Sequence, residues 1–287
     1  MRLRTLPLTV ACISLAGLLA KSRGAFSLEV YIWALVTALL LQILSNLAND
    51  YGDAVHGADH EGREGPQREV QKGSITAKAM KNAIVISAVL SLISGLFLLF
   101  SADLDRTSFI AFIALGLFSI VAAVLYTNGT RPYGYIGLGD LSVFVFFGIV
   151  GVFASYYLIS SEFYPAVLLP ASASGLLAVA VLNINNIRDI ESDRMAGKMS
   201  IPVRLGRPAA IKYHQILLLL AVGLFLYYAI IHYKQLTQLA FLLLTPLLIR
   251  NAIMVSRSVD AKVLDAALRQ MALSALVFIL GFGLSLL

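Results

Sequence analysis

Residues 41–59 read LQILSNLANDYGDAVHGAD. The stretch opens as greasy as a helix inside a bilayer and then sets Asn46, Asn49, Asp50 and Asp53 along a little over two turns. In a helix, positions 46, 50 and 53 follow the i, i+4, i+7 pattern, so these three share one stripe with Asn49 at its edge. Amides and carboxylates are costly in hydrocarbon, and a stripe of them at the end of an apolar run points to a site at a membrane surface.

The rest of the chain bears out the membrane setting. Of 287 residues, 59% are hydrophobic and 13% are charged, far from the roughly 45–50% apolar and about 25% charged of soluble domains. Apolar runs near the ~20 residues a bilayer requires recur throughout. They predict an all-α, multi-pass bundle of about nine transmembrane helices, over 3–20, 29–48, 77–100, 107–127, 138–159, 163–186, 212–231, 236–250 and 268–287. The whole chain, 1–287, reads as one domain around a central cavity open to the cytoplasmic side. The first run lacks a small-residue cleavage site followed by a soluble domain and reads as a span, not a signal peptide. The single Cys12 forms no internal disulfide.

Sorting the 22 Lys and Arg residues by these helices puts 18 on the side of the N-terminus and four (Lys21, Arg23, Arg106, Lys234) on the other. By the positive-inside rule the 18-residue side is cytoplasmic, in a cell (inner or plasma) membrane, with the C-terminus outside. The net charge of +6 is then a topology signal, and no nucleic-acid partner is inferred from it.

A second stretch, VLNINNIRDIESDRMAGK from Val181 to Lys198, ends the sixth helix with Asn185, Asp189 and Asp193 at i, i+4, i+8. One such stretch is ordinary juxtamembrane charge. Two from distant parts of the chain, reaching the same face, are a constellation. Mg²⁺ prefers one or two carboxylates together with substrate phosphate oxygens, and each stretch supplies about half such a site. Arg63, Arg68 and Lys72 follow the first, and Arg188, Arg194 and Lys198 interleave the second, as a departing diphosphate requires.

NLANDYGD with its basic loop, and NNIRDIESD with Arg194 and Lys198, resemble the two aspartate-rich motifs of the UbiA-type intramembrane aromatic prenyltransferases. LRTLPLT, GPQREVQKGSIT and YTNGTRPYGYIGLGDLSVFVFFG extend the likeness to the branch that prenylates 1,4-dihydroxy-2-naphthoate in menaquinone synthesis, over residues 3 to about 207. The resemblance implies a polyprenyl diphosphate donor, an aromatic acid acceptor and Mg²⁺, with the tail in the lipid bilayer. It implies Asp50, Asp53, Asp189 and Asp193 as metal ligands, and Tyr126 as a face that steadies an allylic cation. Asn46, Asn49, Asn185, Asn186, Arg63, Arg68, Lys72, Arg131, Arg194 and Lys198 are the implied substrate contacts. Two positions depart from the family pattern. Gly57 stands where a third acid is common, with Asp59 next, and Arg131 follows Tyr126 where many members have Lys.

Other readings rank below this one. The same chemistry on 4-hydroxybenzoate or homogentisate is the nearest. An ion-coupled transporter is disfavoured because its acids would lie near the midplane between broken helices, and the Asp-Gly and Ala-Arg elements of CDP-alcohol phosphotransferases are missing. RPYGYIGLGD, 131–140, lacks the strand and spacing of a nucleotide loop and reads as a loop over the site. His56 and His60 have helical metal spacing, but Gly57 favours a loop. His214 and His232 read as helix-interface residues. Tyr156, Tyr157, Tyr227 and Tyr228 read as an interfacial aromatic belt.

Overall fold

The computed structural model describes residues 5–55 and 75–287, and among these there is no strand. Among the described residues, nine long helices make the bundle. They are α1 (Leu6–Ser22), α2 (Leu28–Val55), α3 (Ala77–Ser101), α4 (Arg106–Leu125), α5 (Gly139–Ser160), α6 (Pro165–Arg188), α9 (Arg207–Ile231), α10 (Leu236–Arg257) and α11 (Ala261–Ser285). Two short helices, α7 (Ile190–Met195) and α8 (Ile201–Leu205), link α6 to α9. All but α1 are long and apolar enough to cross a bilayer by length and composition. Each matches one of the nine predicted runs.

The differences lie at the polar ends. The predicted second helix stops at residue 48, but α2 runs on to Val55, carrying the acid stripe with it. The ninth begins at Ala261 instead of 268, because the Asp260 carboxylate accepts from the Lys262 and Val263 amides and caps it. Hydropathy marks where a helix leaves hydrocarbon, whereas capping marks where it begins. Thr76 and Asp105 cap α3 and α4 in the same way, through the amides of Ala79 and Ser108.

The central helix is α6. In its most apolar window 72% of residues are buried inside the protein, against 11% for α4 at the rim. Lipid offers no hydrophobic drive for helices to associate, so close packing must hold them. Small residues permit it. A Cβ on Gly148 of α5 would come within 2.7 Å of the Ala171 carbonyl oxygen and 3.1 Å of the Gly175 Cα on α6. Around this crossing, Val145–Ala154 winds as a π-helix, a wider turn that commonly accompanies a functional wall.

On the other side, α4 packs on α2 and α3 but leaves a seam toward α5. Stacked rings of Phe118 and Phe146, 6.1 Å between centroids, bridge the seam midway. At its end away from the acids it is closed by the Phe112–Tyr157 stack and a Ser108–Tyr157 hydrogen bond of 3.1 Å.

The tyrosine belt is only partly a belt. Tyr227 is exposed, but Tyr156 and Tyr228 are buried. They belong to a cluster at the end of the bundle opposite the acid stretches. Arg23 forks onto Glu162, Tyr156 donates to Glu162 at 2.7 Å, and the Arg23 guanidinium lies 3.7 Å over the Tyr164 ring. Tyr164 in turn bonds His232, which stacks on Tyr228. The Arg23 and Tyr156 hydrogen bonds hold the Glu162 carboxyl at about 2, below its ordinary 4.5.

A folded-state pKa below the unfolded one stabilises at pH above the unfolded value and loses that contribution as pH falls through the folded one. Glu162→Gln should therefore lower the melting midpoint in detergent near pH 7 by about 1–3 °C, since the pair is partly solvated. The gap between wild type and variant should close as pH drops from 4.5 toward 2. A gap that is constant over that range would show that the carboxylate charge contributes nothing.

Candidate functional site

The two acid stretches, more than 130 residues apart in sequence, line one cavity of about 350 Å³. From α2 come Asn46, Asn49 and Asp53. From α6 and α7 come Asn185, Asn186, Asp189 and Asp193, and Lys198 joins them. Below this polar mouth the wall turns apolar, with Phe112, Leu117 and Phe146 facing inward beside the α4/α5 seam.

Each functional side chain is fixed by its neighbours. Tyr135, in the loop after α4, donates to Asp53 Oδ1 at 2.9 Å. That loop is stitched to α2. Thr127 donates to the Ala48 carbonyl and to Asn49 Oδ1, and Asn128 donates to the same carbonyl. Gly52 makes the approach possible, because a Cβ there would lie 2.5 Å from Thr127 Oγ1 and 2.6 Å from its carbonyl oxygen. One turn deeper, Asn46 and Gln42 both donate to Thr5 Oγ1, which ties α1 to the stripe.

The second stretch bends where the sequence predicts an unbroken stripe. Helix α6 ends at Arg188 and Asp189 takes a non-helical conformation before α7. The turn at Gly197, with φ +71°, folds the chain back. Lys198 thereby reaches Asp193, with Nζ donating to Oδ1 at 3.2 Å and lying 3.1 Å from Oδ2. Burial raises the Asp193 pKa; Lys198 opposes this, and the nearby charges of Asp189 and Asp53 add to it.

Tyr126 lines the cavity, with Tyr133 packed edge-on at 5.2 Å between centroids. Its hydroxyl leaves no room for a side chain on Gly139, where a Cβ would lie 2.6 Å away. The phenol pKa is raised by desolvation and by the negative charge of Asp140, so the hydroxyl keeps its proton.

Several sequence candidates lie elsewhere. Asp50 is buried beside the stripe but does not line the cavity. At about 100° per residue, positions 46, 49 and 53 fall within one 60° arc, and 50 falls outside it. Arg194 points to solvent and pairs with Glu191. Arg131 is exposed beside a separate surface hollow shared with Arg204. Asp140 accepts from Tyr213 behind the wall. Arg188, read as a phosphate cation, is instead buried among acids. Arg63, Arg68, Lys72, Asp59, His56 and His60 lie outside the described residues.

The residues that sequence reasoning missed are Tyr135, Gln42, Thr5 and Asp265. Gln42 stands one turn before Asn46, and Asp265 one turn before Arg269, so both left an i, i+4 trace. Tyr135 and Thr5 left none.

The donor set suits a cation shared with a phosphate ligand. Among the described residues no three His, Cys, Asp or Glu side chains converge to hold a metal alone. Asn186 Oδ1, buried at the mouth, accepts no hydrogen bond, and Asp193 Oδ2 beside it faces the Lys198 ammonium at 3.1 Å. A buried acceptor is expensive to leave unanswered, and both atoms are hard oxygen donors of the kind Mg²⁺ takes.

Gly52→Ala should lower stability by about 1–3 kcal/mol, read as a fall in the melting midpoint, because the new methyl meets Thr127 backbone atoms that cannot swing aside. An unchanged midpoint would mean that the loop after α4 is not pinned to α2.

Comparison with known proteins bears on this geometry. Residues 10–282 match the family model described as UbiA prenyltransferase family. A 1,4-dihydroxy-2-naphthoate octaprenyltransferase of Escherichia coli (strain K12) is 48% identical over 99% of this chain and 94% of its own length. The enzyme of the same description from Haemophilus influenzae is 45% identical over 100% and 94%. Among solved structures, the apo UbiA homologue of Aeropyrum pernix K1 superposes over 100% of both chains with a TM-score of 0.74 at 18% identity. A UbiA homologue of Archaeoglobus fulgidus, solved bound to DMAPP and Mg²⁺, gives 0.59 over 98% of each chain at 18% identity. These two likenesses concern the fold.

Proposed function

The chain belongs to the UbiA prenyltransferase family, and from that premise we propose that it transfers a polyprenyl chain from polyprenyl diphosphate to 1,4-dihydroxy-2-naphthoate, with loss of CO₂ and diphosphate, in menaquinone biosynthesis. One observation supports this above the others. The two acid and amide stretches meet at one mouth of a cavity whose remaining walls are mostly apolar and run to the α4/α5 seam. A donor with a highly charged head and a hydrocarbon tail matches both halves. The full-length likeness to two naphthoate octaprenyltransferases supports the acceptor.

The diphosphate sits between the α2 and α6–α7 stretches. Asp53, Asp189 and Asp193, with Asn186, would hold the Mg²⁺ that accompanies it, with Asp50 buried beside them. When bound, Mg²⁺ supplies positive charge against the diphosphate oxygens. Lys198 adds a fixed cation to the leaving group, and Asn46, Asn49 and Asn185 orient it by hydrogen bonding. The allylic C–O bond breaks and its electron pair leaves with the diphosphate. Tyr126 and Tyr133 present ring faces and edges that steady the allylic cation without trapping it, and the apolar wall keeps water away. The ring carbon that carries the carboxylate forms the new C–C bond. CO₂ then departs, its bonding pair restoring the aromatic ring, and no proton is exchanged. The tail leaves through the α4/α5 seam into the bilayer.

The chain works as a single domain, 1–287. The 18 to 4 split of basic residues supports a mouth that faces the cytoplasm. Arg257→Cys should then label only from the cytoplasmic side and Lys234→Cys only from outside, measured with an impermeant thiol reagent on intact cells. The opposite pattern would invert the proposed orientation.

The deciding assay incubates protein in nanodiscs with Mg²⁺, a polyprenyl diphosphate and 1,4-dihydroxy-2-naphthoate. It should give a prenylated product with one CO₂ per product, and chelation should abolish turnover. A product that retains its carboxyl, formed with 4-hydroxybenzoate instead, would move the enzyme to a sister branch. No product with any aromatic acid would end the reading. Asp53→Asn and Asp193→Asn should each cost about 10²–10³ in turnover, measured on protein that still folds.

A further inference from the structure

Beneath the cavity mouth a chain of alternating charges runs from α6 to the last helix. The Arg188 side chain is 1% exposed. Its Nε and Nη2 fork onto Asp189 at 2.7 and 2.8 Å, Nη2 also donates to Asn185 Oδ1 at 2.9 Å, and Nη1 donates to Asp265 Oδ1 at 2.9 Å. Asp265 lies 77 residues further along, on α11, and does not line the cavity. Its other oxygen accepts from Arg269, whose side chain is 63% exposed.

We propose that Asp265 is a positioning residue that sets the strength of the Asp189 carboxylate as a cation ligand by sharing the buried Arg188 guanidinium with it. The inference rests on the function proposed above. A bidentate guanidinium fixes the plane of a carboxylate, which favours ordered binding, but it also cancels that carboxylate's charge, which weakens it toward a cation. With two carboxylates on one guanidinium, Asp189 keeps its orientation and much of its charge. Arg269 is largely solvated, so its own charge is screened and restores little positive field at Asp189. The last helix, whose Leu268 lines the cavity, thus reaches the acids through one guanidinium.

The same chain could serve packing alone. Breaking a buried ion pair is destabilising in any case, so stability does not decide between the two roles. The decisive readout is the cation. Asp265→Asn keeps the shape and removes one negative charge, leaving Arg188 to be neutralised by Asp189 alone.

The test uses the full chain in detergent with two readouts, Mn²⁺ titration in the presence of an unreactive polyprenyl diphosphate analogue, followed by EPR, and the Mg²⁺ concentration at half-maximal prenyl transfer. For Asp265→Asn both midpoints should rise roughly tenfold, the size of effect expected from one charge removed within a few ångströms in a poorly screened setting. The KM for the naphthoate should stay within about twofold, as uniform binding of the acceptor is untouched. Asp265→Glu, which restores the charge, should recover most of the shift. Arg269→Gln should change either midpoint by less than about twofold. Should Asp265→Asn fail to fold, Arg188→Lys serves in its place. It cannot fork onto one carboxylate while reaching the other, and it too should raise both midpoints. Wild-type cation midpoints in a folded Asp265→Asn or Arg188→Lys protein would overturn the proposal, leaving the chain a packing device. Wild-type protein that binds Mn²⁺ but transfers no prenyl group would instead overturn the proposed function, and the EPR comparison would still decide the role of Asp265.

Discussion

Carboxylates at the edge of hydrocarbon must be answered by partners close at hand, and the arrangement of this protein follows from how that demand is met. Removing an ion from water costs several kcal/mol even after relaxation. Asp189 is answered by the Arg188 fork, Asp193 by Lys198 and Asp53 by Tyr135. Those partners come from the end of α6, the turn after α7 and the loop after α4, so satisfying the acids fixes where these three parts of the chain sit. The loop after α4 could not approach α2 at all without Gly52. Asn186 Oδ1, buried at the mouth without a hydrogen bond, marks where that compensation is incomplete.

The same cavity has two solvents. Its mouth is polar and its depth is apolar, and the change occurs over about two turns of α2, between Asn46 and the residues around Leu41 and Ala38. The rim helix α4 packs mainly on α2 and α3 and meets α5 beside the apolar part through the Phe118–Phe146 and Phe112–Tyr157 rings. Bundles in a membrane are held by close packing and not by expulsion of apolar surface from water, so a helix can be left half-attached without the penalty it would carry in a soluble domain. The π-helical turn in α5 and the glycine crossing with α6 hold the opposite wall firm.

Much of this was legible in the sequence because the strongest signals are one-dimensional. Apolar run length located all nine long helices. The spacing of the two acid-rich stretches marked the cavity mouth, and Asn46, Asn49, Asp53, Asn185, Asn186, Asp189, Asp193, Lys198 and Tyr126 all line it. What was not legible depends on contacts between distant residues. Nothing near Tyr135 says that its hydroxyl meets Asp53, and Asp265 reads as half of a surface i, i+4 pair with Arg269 until α11 is laid against α6. Charge alone misplaced Arg188 and Arg194. In sequence both are basic residues beside a motif, yet one is buried in a fork and the other is solvated beside Glu191. The break at Asp189 was hidden for the same reason, since i, i+4, i+8 spacing describes a stripe only while the helix continues.

The central claim is that the two distant stretches form a single diphosphate site whose apolar floor leads to lipid. An experimental structure in nanodiscs with Mg²⁺ and an unreactive polyprenyl diphosphate analogue tests it most directly. The account predicts the diphosphate between Asp53 on one side and Asp189 and Asp193 on the other, with Lys198 in contact and the tail passing between α4 and α5. A diphosphate bound instead in the outer hollow beside Arg131 and Arg204, or touching only one of the two stretches, would contradict it.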